Sequence, residues 1–190
     1  MGGICVTKEE YQAAARYWEE KDAESVKLEP GKLRSMVEEY IRSNNTCALA
    51  TGTGDYVRCT PIEYSWHDGC FWMFSEGGKK FIGLEKNPHV CLAIYDRYEG
   101  FGALHGMQVM GLAELIEPFS EAYNDHAARK KISLEFLRKL PSPMHLICVR
   151  LASTACSLTS KSWDALRGRR CCWRRPCDDR SVHKKFRQSR

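Results

Sequence analysis

Apolar and polar positions change rhythm along the chain. In TKEEYQAAARYWEEKDA (7–23), Tyr11, Ala14, Ala15 and Trp18 recur at helical spacing behind a Thr7-x-x-Glu10 pair. Those two side chains can each take a backbone N–H that a helix start leaves unpaired, so the pattern predicts a capped helix, packed on the body or on a partner. Pro30 suits the first turn of a second helix, which runs through Leu33, Met36, Val37, Tyr40 and Ile41 to the polar stop Ser43-Asn44-Asn45. The period then falls to two. CALATG (47–52) is a short apolar run ending in a glycine turn, and YVRCTPIEYSW (56–66) alternates, with Arg58, Thr60, Ile62, Tyr64 and Trp66 on one face. His67-Asp68-Gly69 reads as a hairpin turn and CFWMFS (70–75) as the return strand, which would set Arg58 beside Ser75. A short helix ends at Asn87-Pro88. HVCLAIYD (89–96), MQVMGLAELIEP (107–118), with Gly111 at a bend or bulge, and PSPMHLICVRL (141–151) are further strands, and helical patterns fill 119–140. Six strands, mostly hairpin-linked and flanked by helices, predict a mainly β (α+β) fold built on an antiparallel barrel rather than a parallel α/β sheet.

This divides the chain into N-terminal helices packing on the barrel (1–45), the barrel with a helical insertion at about 119–140 (46–155), and an irregular basic tail (156–190). The tail changes the reading of the charge. The net charge is +5, but residues 161–190 hold eleven Lys or Arg against three Asp, which leaves the first 160 residues at −3. The basicity is a property of the tail, so the overall charge does not argue for a nucleic-acid partner. Rich in Arg and Cys and without apolar period, the tail is expected to be disordered. Its composition is what a shifted reading frame gives, and translating the gene's other two frames tests that.

Seven of the ten cysteines lie before residue 161, and Cys47, Cys59, Cys91 and Cys148 sit in apolar or alternating runs, where a free thiol acts as a small hydrophobe. The first residues, MGGICVTKEEYQ, lack the basic start and apolar stretch of a signal peptide, and Val6 stands where a myristoylation signal wants Ser or Thr. No apolar run approaches a membrane span. Reduced thiols in a cytoplasmic protein are expected. Cys171, Cys172, Cys177 and His183 are spaced too irregularly for a zinc site, and no metal is expected.

The chemistry concentrates in SEGGKKFIGLEKNP (75–88). Glycines let an anion approach the backbone, Ser75 offers a hydroxyl, Lys79 and Lys80 offer charge, and the first turn of a helix offers free N–H groups. A solvated basic first turn is the alternative; lysines at a helix start are slightly unfavourable by themselves, which favours a phosphate-like ligand there, with Arg58 closing on it from the strand. There is no G-x-S-x-G, H-E-x-x-H, Walker loop or G-x-G-x-x-G. TGTGDY (51–56) is read as a turn. His67 is read as solvated, and His105 as a residue of the loop before Gln108.

The order of these pieces resembles the flavin-binding split-barrel proteins related to pyridoxamine 5′-phosphate oxidase. Arg58-x-x-Pro61 follows a short apolar strand. The Asp68-Gly69 hairpin, an aromatic strand, Ser75 before Lys79-Lys80, Asn87-Pro88, and Gln108-Val109 near Gly111 come after it, all within residues 30–150. The resemblance implies a six-stranded antiparallel split barrel that binds flavin mononucleotide (FMN). Arg58, Ser75, Lys79 and Lys80 would hold the phosphate. Arg58-Cys59-Thr60-Pro61-Ile62-Glu63 would run along the ribityl chain and ring, with Phe74 in the same site. Gln108 would reach the ring from the twin subunit of a homodimer. It implies a small cytoplasmic oxidoreductase passing two electrons through FMN, from a small-molecule substrate or a donor such as NAD(P)H; no side chain is assigned to catalysis. The Arg-Leu-His-x-Arg segment with which the oxidase itself grips its substrate is absent, the nearest text being Asp179-Arg180-Ser181-Val182-His183, so another substrate is expected. The alternative is a non-catalytic barrel that binds or senses haem, flavin or another ligand.

Overall fold

A computed structural model of the chain describes residues 6–23, 28–99, 105–160 and 169–173. Two helices come first, α1 (Lys8–Ala23) and α2 (Pro30–Ser43). The Thr7/Glu10 box forms in both directions: Thr7 N donates to Glu10 Oε2 at 2.7 Å and Glu10 N to Thr7 Oγ1 at 3.2 Å. The stripe behind it is not covered, since Tyr11, Ala14 and Ala15 are exposed. In α2, Glu29 caps the N–H groups of Gly31 and Lys32, and Leu33, Val37, Tyr40 and Ile41 are buried in the barrel core.

Eight strands follow: β1 (Thr46–Thr53), β2 (Tyr56–Glu63), β3 (Ser65–His67), β4 (Cys70–Ser75), β5 (His89–Tyr95), β6 (His105–Ile116), β7 (His145–Ser160) and β8 (Arg169–Trp173). Helix α3 (Lys80–Lys86) lies between β4 and β5, and α4 (Glu121–Arg129) and α5 (Leu134–Arg138) between β6 and β7. Among the described residues all pairings are antiparallel, in the order β2-β1-β5-β6-β7-β4-β3, with β8 off this path and paired with β7. The outermost strands of that path, β2 and β3, are consecutive in the chain and separated only by Tyr64. A sheet whose two edges are joined by one residue has to curl, and the result is a split barrel.

That join corrects the strand count and one pairing. The unbroken alternation of residues 56–66 reads as one strand, but it is divided at Tyr64, whose buried ring faces Phe71 edge-on and whose hydroxyl donates to the Ile41 carbonyl at 2.7 Å. Only the part after Tyr64 pairs with β4, through Ser65↔Trp72, Trp66↔Phe71 and His67↔Cys70. Arg58 lies opposite Thr51 and Ser75 opposite His145, so hairpin pairing does not bring Arg58 and Ser75 together.

Two cores share the sheet. Leu49, Phe71, Met73, Leu92, Ile94, Val109 and Val149 belong to the barrel interior; Cys70, Trp72, Leu146 and Cys148 pack beneath Tyr123 and Ala127 of α4 and Leu137 of α5. β4 is therefore covered on both faces, and Tyr64, Phe71 and Trp72 serve as core rings. The last strand runs past residue 151 to Ser160 and pairs there with β8, so the described parts of 156–173 form strands where the sequence suggested irregular chain. The remainder of the tail lies outside the described residues. Cys47, Cys59, Cys70, Cys91 and Cys148 are free. Among the described residues no helix is long and apolar enough to cross a membrane.

Gly111 sits where the β6–β7 register shifts. A Cβ there would lie 2.5 Å from Val149 Cγ1 and 2.7 Å from the Arg150 carbonyl oxygen. The obstacle is partly backbone, so relaxation is expensive. Gly111→Ala is expected to lower stability by about 1–3 kcal/mol in urea unfolding; an unchanged midpoint would mean that the strands separate freely at this point.

Candidate functional site

Between the β2 edge and β4 lies a cavity of about 500 Å³, a usual size for a small-molecule site. Its wall takes Thr60 to Glu63 from β2, Tyr64 from the join, Ser65 from β3, and Trp72, Phe74 and Ser75 from β4. Glu76, Gly77 and Lys80 close one end; His126, Lys130, Ile132 and Met144 come from the α4–α5 side.

The cationic end is built by the loop after β4. Gly77 and Gly78 have φ of +118° and +101°, a region L side chains rarely enter, so the two glycines let the chain turn sharply from Ser75 into α3. Ser75 Oγ and Gly77 N hold each other at 3.3 Å, and Lys80 Nζ folds back to donate to the Gly77 carbonyl at 2.6 Å. The helix is pinned at both ends. Tyr56 Oη donates to the Lys79 carbonyl at 2.9 Å, and Asn87 Nδ2 to the Gly52 carbonyl at 2.8 Å, which gives the Asn-Pro stop its second role. Two of the first-turn N–H groups are already used, Phe81 N by the Gly78 carbonyl and Ile82 N by that of Lys79. The side chain of Lys80 therefore contributes more to this end than the helix start does.

Lys80 is only 7% exposed, and neither it nor Arg58 makes an ion pair among the described residues. Burial lowers its pKa first, and the neighbouring Arg58 charge lowers it further. A buried lysine thus feels the charge of the exposed Arg58 while making no ion pair of its own among the described residues. Thr60 Oγ1, buried beside the cavity, has no hydrogen-bond partner among the described residues. A buried lysine without an ion pair and a hydroxyl without a hydrogen bond, both among the described lining of one cavity, fit an anionic, hydrogen-bonding ligand.

The opposite end is aromatic. Trp72 stacks on His67 with centroids 4.8 Å apart and planes within 2°, and Phe74 and Trp72 flank His126. His126 is 1% exposed, and its Nδ1 lies 3.0 Å from His67 Nε2. Burial first, then His67 and Lys130, push its pKa down to about 4. Lys130 in turn meets Glu63 at 2.6 Å across the mouth.

Seven of the expected site residues therefore line one cavity: Thr60, Pro61, Ile62, Glu63, Phe74, Ser75 and Lys80. Arg58 reaches it electrostatically through Lys80. Three lie elsewhere. Lys79 is exposed on the turn, Cys59 is exposed opposite Ala50, and Gln108 is exposed on β6 opposite Ala93. His67 is not solvated, its side chain being 14% exposed and stacked, and His105 is bound through Nδ1 to Asp96 at 2.9 Å, outside the cavity lining. His126 and Lys130 were missed by the sequence reading. They lie on a helix whose pattern announces only amphipathicity, and the pairing of β4 with β7 that brings α4 over the cavity is long-range. Among the described residues no cluster of three His, Cys, Asp or Glu could hold a metal.

Residues 33–160 match the family described as pyridoxamine 5′-phosphate oxidase. No curated protein matches the chain in sequence. Several solved structures share the fold at low identity. A protein related to general stress protein 26, of the pyridoxinephosphate oxidase family, from Clostridium acetobutylicum is 16% identical, with a TM-score of 0.55 over 75% of this chain and 94% of its own. An FAD-binding protein from Mesorhizobium loti is 17% identical, with a TM-score of 0.51 over 65% of this chain and 90% of its own. The haem storage protein HutZ from Vibrio cholerae is 16% identical, with a TM-score of 0.51 over 62% of this chain and 89% of its own.

Proposed function

The chain belongs to the pyridoxamine 5′-phosphate oxidase family, and from that premise we propose that its cavity binds FMN and that the protein is a small oxidoreductase. The observation that carries the reading is Lys80, buried at one end of the cavity within reach of the Arg58 charge and making no ion pair among the described residues. A phosphate dianion would supply that charge. Lys80, Arg58 and Ser75 would hold it, and Thr60 would satisfy its orphaned hydroxyl on the polar chain that follows. Ile62, Phe74, Trp72, Ile132 and Met144 would flank the planar ring and keep water from it. When bound, the flavin supplies two-electron transfer, the hard part of the chemistry. The protein's share is to hold the phosphate, orient the ring and keep one face reachable.

A second copy of the chain belongs to this reading. Gln108 shares the outer face of β6 with Met110 and Leu112, which are 52% and 43% exposed, and Val57 on β2 is 80% exposed. An apolar strip of this kind, bearing a residue expected near the flavin, suits an isologous homodimer in which each Gln108 serves the other site. Electrons would come from a small-molecule substrate or NAD(P)H.

The purified protein is expected to take up FMN and to absorb at about 450 nm, bleach with NAD(P)H under argon and recover its colour in air. A sharp band at about 400 nm after haem addition, with no flavin uptake, would overturn the reading in favour of a haem-binding barrel. Colour that no nicotinamide donor or substrate bleaches would leave a flavin carrier rather than an enzyme.

A further inference from the structure

The His67-Asp68-Gly69 turn does more than join two strands. Asp68 and Gly69 both have positive φ, +52° and +69°, as a tight hairpin turn requires. That conformation sets the Asp68 carboxylate against the preceding ring, Oδ2 lying 3.1 Å from His67 Nδ1, and Arg129 Nη2 approaches the same oxygen at 3.7 Å. His67 Nε2 then meets His126 Nδ1 at 3.0 Å. Three side chains from a turn and a helix form one continuous line from the surface, where the Asp68 side chain is 53% exposed, to a histidine that lines the cavity.

The line has a direction. A carboxylate only accepts, so His67 must carry its proton on Nδ1. With both rings uncharged, His67 Nε2 is then the acceptor and His126 Nδ1 the donor. His126 Nε2 is left with a bare lone pair, and no hydrogen bond to it is found among the described residues. Stacking on Trp72 and contact with Phe74 fix both rings, so this lone pair is held in place rather than free to rotate away.

We propose that Asp68 and His67 orient His126 so that its Nε2 accepts a hydrogen bond from an N–H or O–H group on the planar part of the cavity ligand. His126 thereby becomes a specificity-determining residue: it favours a ring edge that donates and disfavours one that only accepts, since two lone pairs would then face each other in a dry pocket. The assignment rests on the flavin reading for the ligand's identity alone; the orientation of the imidazole belongs to the protein without ligand.

The test is nitrogen NMR on the full chain labelled with [15N]histidine, with His126 assigned from the signal lost in His126→Gln. Near neutral pH the long-range proton–nitrogen pattern is expected to show Nδ1 protonated and Nε2 bare in His126. The opposite tautomer, or a charged ring, overturns the proposal outright. Saturating riboflavin 5′-phosphate, with binding read independently by flavin fluorescence, is then expected to shift His126 Nε2 while the exposed His89 stays still. Binding without a shift overturns the proposal and spares the flavin reading. Absence of binding overturns the flavin reading, and the tautomer alone then decides whether the acceptor exists. His126→Leu is expected to weaken binding about tenfold and His126→Gln, whose amide oxygen can accept, to stay within about threefold; equal losses in two folded variants would reduce His126 to a packing residue.

Discussion

Replacing Lys80 by Glu is expected to abolish retention of FMN, with affinity falling at least about 100-fold, because breaking a buried charge pair costs about 2–5 kcal/mol and reversal adds repulsion. The side chain is buried, and among the described residues it donates one hydrogen bond, to the Gly77 carbonyl at 2.6 Å. Burial and Arg58 both disfavour its charged form, so the free protein holds that charge at a disadvantage which a phosphate would remove. Lys80→Met separates the two effects. It should lose the ligand as Glu does, yet leave the ligand-free protein folded with a melting temperature within a few degrees of the parent, since methionine fills the stem of lysine. Arg58→Glu should resemble Lys80→Glu, whereas Lys79→Glu, on the exposed turn, should cost little. Flavin affinity measured by fluorescence across the four variants decides the matter. Full binding in Lys80→Glu would end the phosphate assignment.

The second large effect is acid lability. His126 titrates at about 4 in the folded protein against an ordinary value of 6.5. Its folded pKa is depressed, so the stability from burying it neutral is complete above pH 6.5 and is lost as the pH falls towards 4. The unfolded chain binds the proton first. Linkage makes this loss about 2 kcal/mol by pH 5 and about 3 kcal/mol by pH 4. The groups that set it are His67, Lys130 and Arg129, which oppose the proton, and Asp125, which favours it; burial outweighs them all. Urea unfolding followed from pH 7 to pH 4 should therefore slope more steeply for the parent than for His126→Asn, which takes up no proton there. Parallel slopes would mean that the ring is solvated in the folded state.

How much of this was legible depended on how local the cause was. The Thr7/Glu10 cap, the Asp68-Gly69 turn and the Gly111 irregularity are decided within a few residues or by one missing side chain, and all three are present. The break at Tyr64 was not legible. Alternation continues through it, and what divides the strand is the pull of α2 on the Tyr64 hydroxyl, 23 residues away in sequence. The lysine pair was legible as charge but not as geometry. Neighbouring residues on a helix point about 100° apart, so one of the two had to turn inward, and only packing decided that it was Lys80. The aromatic end of the cavity was hidden for the reason that hid His126: its wall is made by contact between elements some 60 residues apart, and helix periodicity says nothing about which sheet a helix will cover.

The one-residue span between β2 and β3 has a mechanical meaning. Pairs such as β1–β5 and β6–β7 are fastened by ladders that can part rung by rung, whereas β2 and β3 are fastened by the chain itself. The gap beside it can widen only by levering about Tyr64, and that drags on the buried phenol and on the end of the second helix. A guest lodged in the gap would leave at a pace set by this stiff clasp as much as by its own grip, and severing the backbone at that single point would release the clasp while every other strand kept its neighbours.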